Sequence, residues 1–117
     1  MDQNIYYHNP RCRKSREALQ LVREKNIDFK IVEYLKDPPS REQLKYILDG
    51  LGKKPLDLIR KQEKIFKELN LSNKDIKSDD EWIDIMISNP ILIERPILIY
   101  NNKAALGRPP ENVLKIL

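Results

Sequence analysis

The stretch YYHNPRCRKSREAL, residues 6–19, holds the only cysteine and the only histidine of the 117-residue chain, Cys12 and His8. A free thiol ionises near pH ~8.5, and only the thiolate is a strong nucleophile. Arg11, Arg13, Lys14 and Arg16 surround Cys12, with no acidic residue until Glu17. That local field favours the anion, and His8 would add to it if protonated. Asn9 and Pro10 punctuate the turn between them. Ser15 either caps the following helix or hydrogen-bonds the sulfur. His8 can equally close a strand against a local carbonyl, and the basic cluster can be a solvated loop. An uncompensated thiol in this setting is nonetheless read as reactive.

Other chemistries are excluded by what the chain lacks. A single cysteine forms no internal disulfide and no C-x-x-C pair. One histidine and one cysteine do not complete a four-ligand zinc site, so no metal is expected. A cysteine-phosphatase loop would place arginine six positions after the thiol, where Ala18 stands. Three glycines are too few for a glycine-rich phosphate loop. His8 belongs to the same turn as Cys12 and does not arrive from a distant element, which argues against a protease or serine triad.

The elements needed to hold that thiol can be read from pattern. Asn4–Tyr7 has strand character. Ala18, Leu19 and Val22 form a helical stripe from Ser15 onward. IDFKIVEYL, residues 27–35, alternates as a second strand, and a connection of that length implies parallel pairing. Residues 40–89 read as helical: Ser40 with Gln43 and Ser78 with Glu81 are capping boxes, Gly50 and Gly52 end one helix, Pro55 opens a short one, and Asn89-Pro90 stops another. RPILIY, a turn at Asn101-Asn102, and KAALG predict an antiparallel hairpin. RPPENVLKIL closes the chain as a short helix with Val113, Leu114 and Leu117 inward.

This order, β-α-β, helices, β-β-α, resembles the thioredoxin fold with an all-helical insertion at about 40–89 in a single domain 1–117. The resemblance puts Cys12 at the N-terminus of the first helix and implies a cis peptide bond before Pro96. Arg60, Arg95 and Arg108 each stand beside a structural break, and the last two fall near the cysteine end of such a sheet. Planar guanidinium forks suit a tetrahedral oxyanion.

The combined motifs HNPRC-KSR, PPSR, LIRKQE, NPILIERP and GRPPENVLKIL extend over essentially the whole chain. They resemble the glutaredoxin-dependent arsenate reductases, the ArsC family. The resemblance implies arsenate as substrate, bound by Arg60, Arg95 and Arg108. Cys12 would form the adduct and His8 would help keep it ionised, with Asn9, Ser15, Arg16 and Pro96 in support. Glutathione as co-substrate and glutaredoxin as partner would resolve the adduct, with no bound cofactor and a place in arsenical resistance. Arg13 and Lys14 depart from the small residues that follow the cysteine in established reductases. Two further readings use the same residues: a glutathione- or glutaredoxin-linked thiol enzyme with another substrate, and a thiol-sensing regulator that binds RNA polymerase. Ser15 in place of a second cysteine, and Arg108 in GRPPE, favour the enzymes.

Net charge is +4, but acidic residues interrupt every basic run, so no nucleic-acid partner is expected. No apolar run reaches the roughly 18–20 residues that span a bilayer. The first residues lack the pattern of a signal peptide, and a lone thiol suits a reducing compartment. A cytoplasmic protein without membrane contact is therefore expected.

Overall fold

A computed structural model of the chain describes residues 4–117. The backbone forms two compact units: one joins the segment up to Asp37 to Arg95–Leu117, and the other is Pro38–Glu94. No helix among the described residues is long and apolar enough to cross a membrane.

In the first unit, β1 (Ile5–His8) leads into α1 (Arg13–Arg23) and then β2 (Lys30–Glu33). Later come β3 (Ile97–Tyr100), β4 (Lys103–Leu106) and a 3-10 helix, Pro110–Ile116. The sheet order is β2-β1-β3-β4, with β1 and β2 parallel and the other pairs antiparallel. Tyr6 sits opposite Leu98, and both point to the side where Ala18, Leu19, Val22 and Val113 pack. Burying each such aliphatic side chain contributes about 1.5–3 kcal/mol, which ties α1 and the C-terminal helix to the sheet. Ile5, Tyr7, Ile97 and Ile99 are buried as well, so β1 and β3 read as continuous apolar runs without alternation.

The hairpin turn follows from its asparagines. Asn101 and Asn102 have φ of 49° and 64°, the two left-handed positions that match the twist of the flanking strands. The sheet is the thioredoxin-like mixed sheet expected. Three local expectations change. α1 starts at Arg13, earlier than its apolar stripe, because its first turn is polar. β2 does not alternate in burial, because it is an edge strand with one neighbour. The C-terminal helix is 3-10: the Asn112 side chain takes the Arg108 carbonyl (2.8 Å), and its backbone N–H bonds the Pro109 carbonyl instead (3.0 Å).

The second unit is helical, with α2 (Arg41–Leu51), α3 (Lys64–Glu68), α4 (Asp79–Ser88) and 3-10 turns at Pro55–Leu58 and Pro90–Leu92. The Ser40 hydroxyl accepts from the Gln43 N–H, and Gly52 closes α2 in the left-handed conformation at φ 65°. Leu44, Ile47 and Leu48 of α2 and Trp82, Ile83 and Met86 of α4 are buried. Arg41–Asp84 (2.7 Å) and Lys45–Asp80 (2.9 Å) join the exposed sides of these helices. A bridge between Ile59 and Ile93 holds the unit's last residues to the segment that carries Arg60.

The capping box at α4 is complete. Ser78 Oγ accepts from the Glu81 N–H, and the Glu81 carboxylate accepts from the Ser78 N–H, both at 3.1 Å. Ser78→Ala removes one acceptor for an otherwise orphaned amide and is expected to cost about 1 kcal/mol. The measurement is a urea melt: the midpoint should fall at unchanged slope, and an unmoved midpoint would refute the cap's contribution.

Candidate active site

Cys12 is the N-cap residue of α1, with extended backbone (φ −92°, ψ 122°), and is half-buried. The turn that delivers it is tied locally. Cys12 N–H donates to the Asn9 carbonyl (3.0 Å), Arg11 N–H to Asn9 Oδ1 (3.0 Å), and Arg16 Nη1 to the Pro10 carbonyl (2.9 Å). Asn9 and Arg16 thus brace the loop. Arg13 pairs with Glu17 at 2.8 Å on the exposed side of α1.

The net effect of its surroundings is to lower the Cys12 pKa. Burial is the largest influence and raises it, but backbone N–H groups of Ser15 and Lys14 and the Arg95 guanidinium together outweigh that cost. The cation that matters is therefore Arg95, from the loop before β3. The cluster beside the thiol is spent on Glu17, on Pro10 and on solvent.

His8 is buried at the end of β1, with Nδ1 2.7 Å from Ser15 Oγ. Burial lowers its pKa, Glu33 raises it, and Arg23 and Arg16 lower it further, with a net fall. Burial thus favours the neutral imidazole near pH 7, and His8 meets the turn as a hydrogen-bonding group rather than as a cation. Ser15 is fully buried, and its hydroxyl accepts from the Asn9 N–H (3.0 Å) while meeting His8. Its side chain neither caps α1 nor serves the sulfur; its amide does the latter.

Arg95 and Arg108 lie together in the first unit: Arg108 Nε donates to the Arg95 carbonyl at 2.9 Å. The Arg95–Pro96 bond is cis, as expected, and so is Arg108–Pro109, which the sequence did not suggest. Gly107 N–H donates to the Pro96 carbonyl at 2.8 Å, which docks the GRP segment on the cis-proline loop.

Arg60 belongs to the helical unit. Its Nε bonds Glu63 Oε1 at 3.2 Å and its Nη1 bonds Glu94 Oε1 at 3.1 Å, all three side chains being largely buried. Glu63 is three residues away and legible in sequence; Glu94 is not. The same unit has a hollow of about 510 Å³ bordered by Lys45, Lys53, Asp49 and Asp80. Lys45 and Asp80 pair there, so these charges do not converge on a ligand.

One residue escaped the sequence reading altogether. Tyr6 is fully buried in β1, and its hydroxyl donates to the Ser15 carbonyl at 2.6 Å. A tyrosine hydroxyl buried in a core strand must find a partner, and that rule was the available signal.

A mixed sheet with a single thiol capping the first helix, and a cis-proline leading into the third strand, defines a thioredoxin-like thiol protein. The comparisons narrow the class. The model of the ArsC family matches residues 7–116, and the chain belongs to that family. It is 45% identical over 112 residues to the Escherichia coli K12 protein YfgD, covering 95% of this chain and 93% of the relative. It is 41% identical to an arsenate reductase of Neisseria meningitidis serogroup B, covering 95% of each. The solved arsenate reductase from Vibrio cholerae superimposes with a TM-score of 0.90 at 43% identity, covering 99% of this chain and 98% of that one.

Proposed function

We propose that the protein is a thiol-dependent arsenate reductase working in the cytoplasm. The observation that carries the reading is Cys12 at the start of α1, with the Ser15 and Lys14 amides and Arg95 favouring its thiolate. The named arsenate reductases among its relatives supply the substrate.

The Cys12 thiolate attacks arsenic, and one arsenate oxygen departs as water after protonation. Arg95 and Arg108 neutralise the oxyanion and hold it in line with the sulfur, so positioning and electrostatics lower the barrier. Arg60 is assigned to the same oxyanion by the family motif LIRKQE. One glutathione then adds to the Cys12–arsenic adduct with loss of a second oxygen as water. A glutaredoxin thiol attacks the glutathione sulfur, the glutathione–arsenic bond breaks, and its electron pair reduces arsenic from As(V) to As(III). The two thiols leave as a mixed disulfide. Water releases arsenite and returns Cys12. Neutral His8, and Asn9, Ser15, Arg16 and Pro96, shape the turn that presents the sulfur.

The test is arsenate-dependent NADPH oxidation with glutathione, glutaredoxin and glutathione reductase. Consumption should require every component, and Arg60→Ala should raise the arsenate KM on the order of tenfold, the cost of one charge-assisted contact. No arsenate-dependent consumption would overturn the reading.

A second reading, a glutathione-linked thiol enzyme acting on another substrate, is favoured by one observation: Arg60 is already held by Glu63 and Glu94. Rapid alkylation of Cys12 at pH 7 without arsenate activity is its expected signature.

A further inference from the structure

Ser15 is the residue whose amide favours the Cys12 thiolate, and every other polar atom it carries is occupied. Its Oγ accepts from the Asn9 N–H at 3.0 Å and lies 2.7 Å from His8 Nδ1. The Ser15 carbonyl accepts from the Tyr6 hydroxyl at 2.6 Å, a contact that ties the first turn of α1 to β1. Tyr6, His8, Asn9 and Ser15 are all buried, with Tyr6 and Ser15 at 0% exposure. Tyr6 itself is locked in β1 between β2 and β3, opposite Ile31 and Leu98.

We propose that Tyr6 is a positioning residue for the Cys12 thiolate: its hydroxyl pins the first turn of α1 to the central strand and so keeps the N–H groups of that turn facing the side chain of Cys12, the helix's N-cap residue. The proposal rests on the reading of Cys12 as the reacting thiol, but not on arsenate as the substrate. The groups that act on the sulfur are few: the Ser15 and Lys14 amides from α1, Arg95 from the loop before β3, and burial. Tyr6 acts through the first of these. The unpaired N–H groups of a helix's first turn favour an anion at the N-cap, and the effect falls off within that turn, so a first turn free to shift stabilises the thiolate less. The apolar contacts of Tyr6, including its ring against His8 and Phe29, need no hydroxyl. Tyr6→Phe therefore isolates the effect.

The experiment is the rate of Cys12 alkylation by iodoacetamide against pH, for the wild type and Tyr6→Phe, with thermal melts alongside. The variant should alkylate about three- to tenfold more slowly at pH 7, its midpoint should move to higher pH, and both proteins should reach the same limiting rate in alkali. A purely structural tyrosine would lower the melting temperature and leave the pH profile in place, which would overturn the proposal. Should Tyr6→Phe be marginally stable, its profile is read at a temperature below its melting midpoint, where the melts show it folded. A wild-type midpoint near ~8.5 would remove the activated thiol, and this proposal with it. A depressed wild-type midpoint that Tyr6→Phe leaves in place would remove the role of Tyr6 alone.

Discussion

Cys12→Ser is expected to bring arsenate-dependent NADPH oxidation down to the rate without protein, while the fold and the proposed oxyanion-binding groups remain. Serine is close to cysteine in size, and the Cys12 side chain makes no capping hydrogen bond on which α1 depends. What is lost is the anion. The Ser15 and Lys14 amides and Arg95 favour a thiolate whose parent thiol already titrates near pH ~8.5, but a hydroxyl is a far weaker acid and stays protonated in the same field. The proposed adduct with arsenic should then not form, and with a single cysteine in the chain no other thiol of the protein can substitute. Residual turnover above a few per cent of wild type would sink the adduct mechanism.

The wild-type pH dependence carries the same logic with a definite sign. Because the folded pKa of Cys12 lies below its unfolded value, the folded thiol binds fewer protons than the unfolded one between the two. Wild-type activity should rise with pH through the folded pKa and level off above it. The stability difference between wild type and Cys12→Ser should likewise grow in favour of the wild type from the folded pKa up to about 8.5, and be lost on acidification through that window. Urea melts of both proteins at several pH values measure it.

What could be read in the sequence follows the range of the interactions concerned. Ser78 and Glu81 are three residues apart, so their capping box is local chemistry. The left-handed pair Asn101-Asn102 and the placement of Cys12 at the strand-to-helix junction are local too. The amides that favour the thiolate, of Ser15 and Lys14, are local as well, but the cation that favours it is not. Arg11, Arg13, Lys14 and Arg16 are adjacent in sequence, yet Arg13 is spent on Glu17 and Arg16 on the Pro10 carbonyl. Arg95, far along the chain, is the cation that acts on the sulfur. Sequence adjacency counts charge without showing where each side chain points.

His8 shows the same limit from another side. Its residue type suggests a charge near neutral pH, but burial decides the matter, and burial depends on how the sheet packs. The lack of alternation in β2 depends on which strand lies at the edge, a property of the whole sheet order. Arg60 illustrates both cases at once: Glu63 could have been found by its i, i+3 spacing, whereas Glu94 is brought to it through the bridge between Ile59 and Ile93.

Gly107→Val should be among the most damaging single substitutions available, and it tests the loop that carries two of the proposed oxyanion arginines. A Cβ at position 107 would stand 2.6 Å from Pro96 Cγ, 3.1 Å from Pro96 Cδ and 3.2 Å from Val113 Cγ1. The backbone conformation at Gly107 is not left-handed, so the glycine is required for space and not for freedom. Pro96 is buried and its ring is rigid, so relief has to come from the backbone. That movement would break the Gly107 N–H bond to the Pro96 carbonyl and unseat the Arg108 Nε contact with the Arg95 carbonyl. Overpacking a tight site costs about 1–3 kcal/mol and occasionally more, and the loss of a buried hydrogen bond adds about 1 kcal/mol. A fall in melting temperature of roughly 10 °C is therefore expected for a chain of this size. Cys12 alkylation at pH 7 should slow as well, because Arg95 moves with the loop. Gly107→Ala should show both effects in milder form, since the close contact is already made by Cβ. A Gly107→Val protein with wild-type stability and wild-type Cys12 reactivity would show that the Pro96 loop yields freely, and that its packing against Gly107 does not fix the arginines.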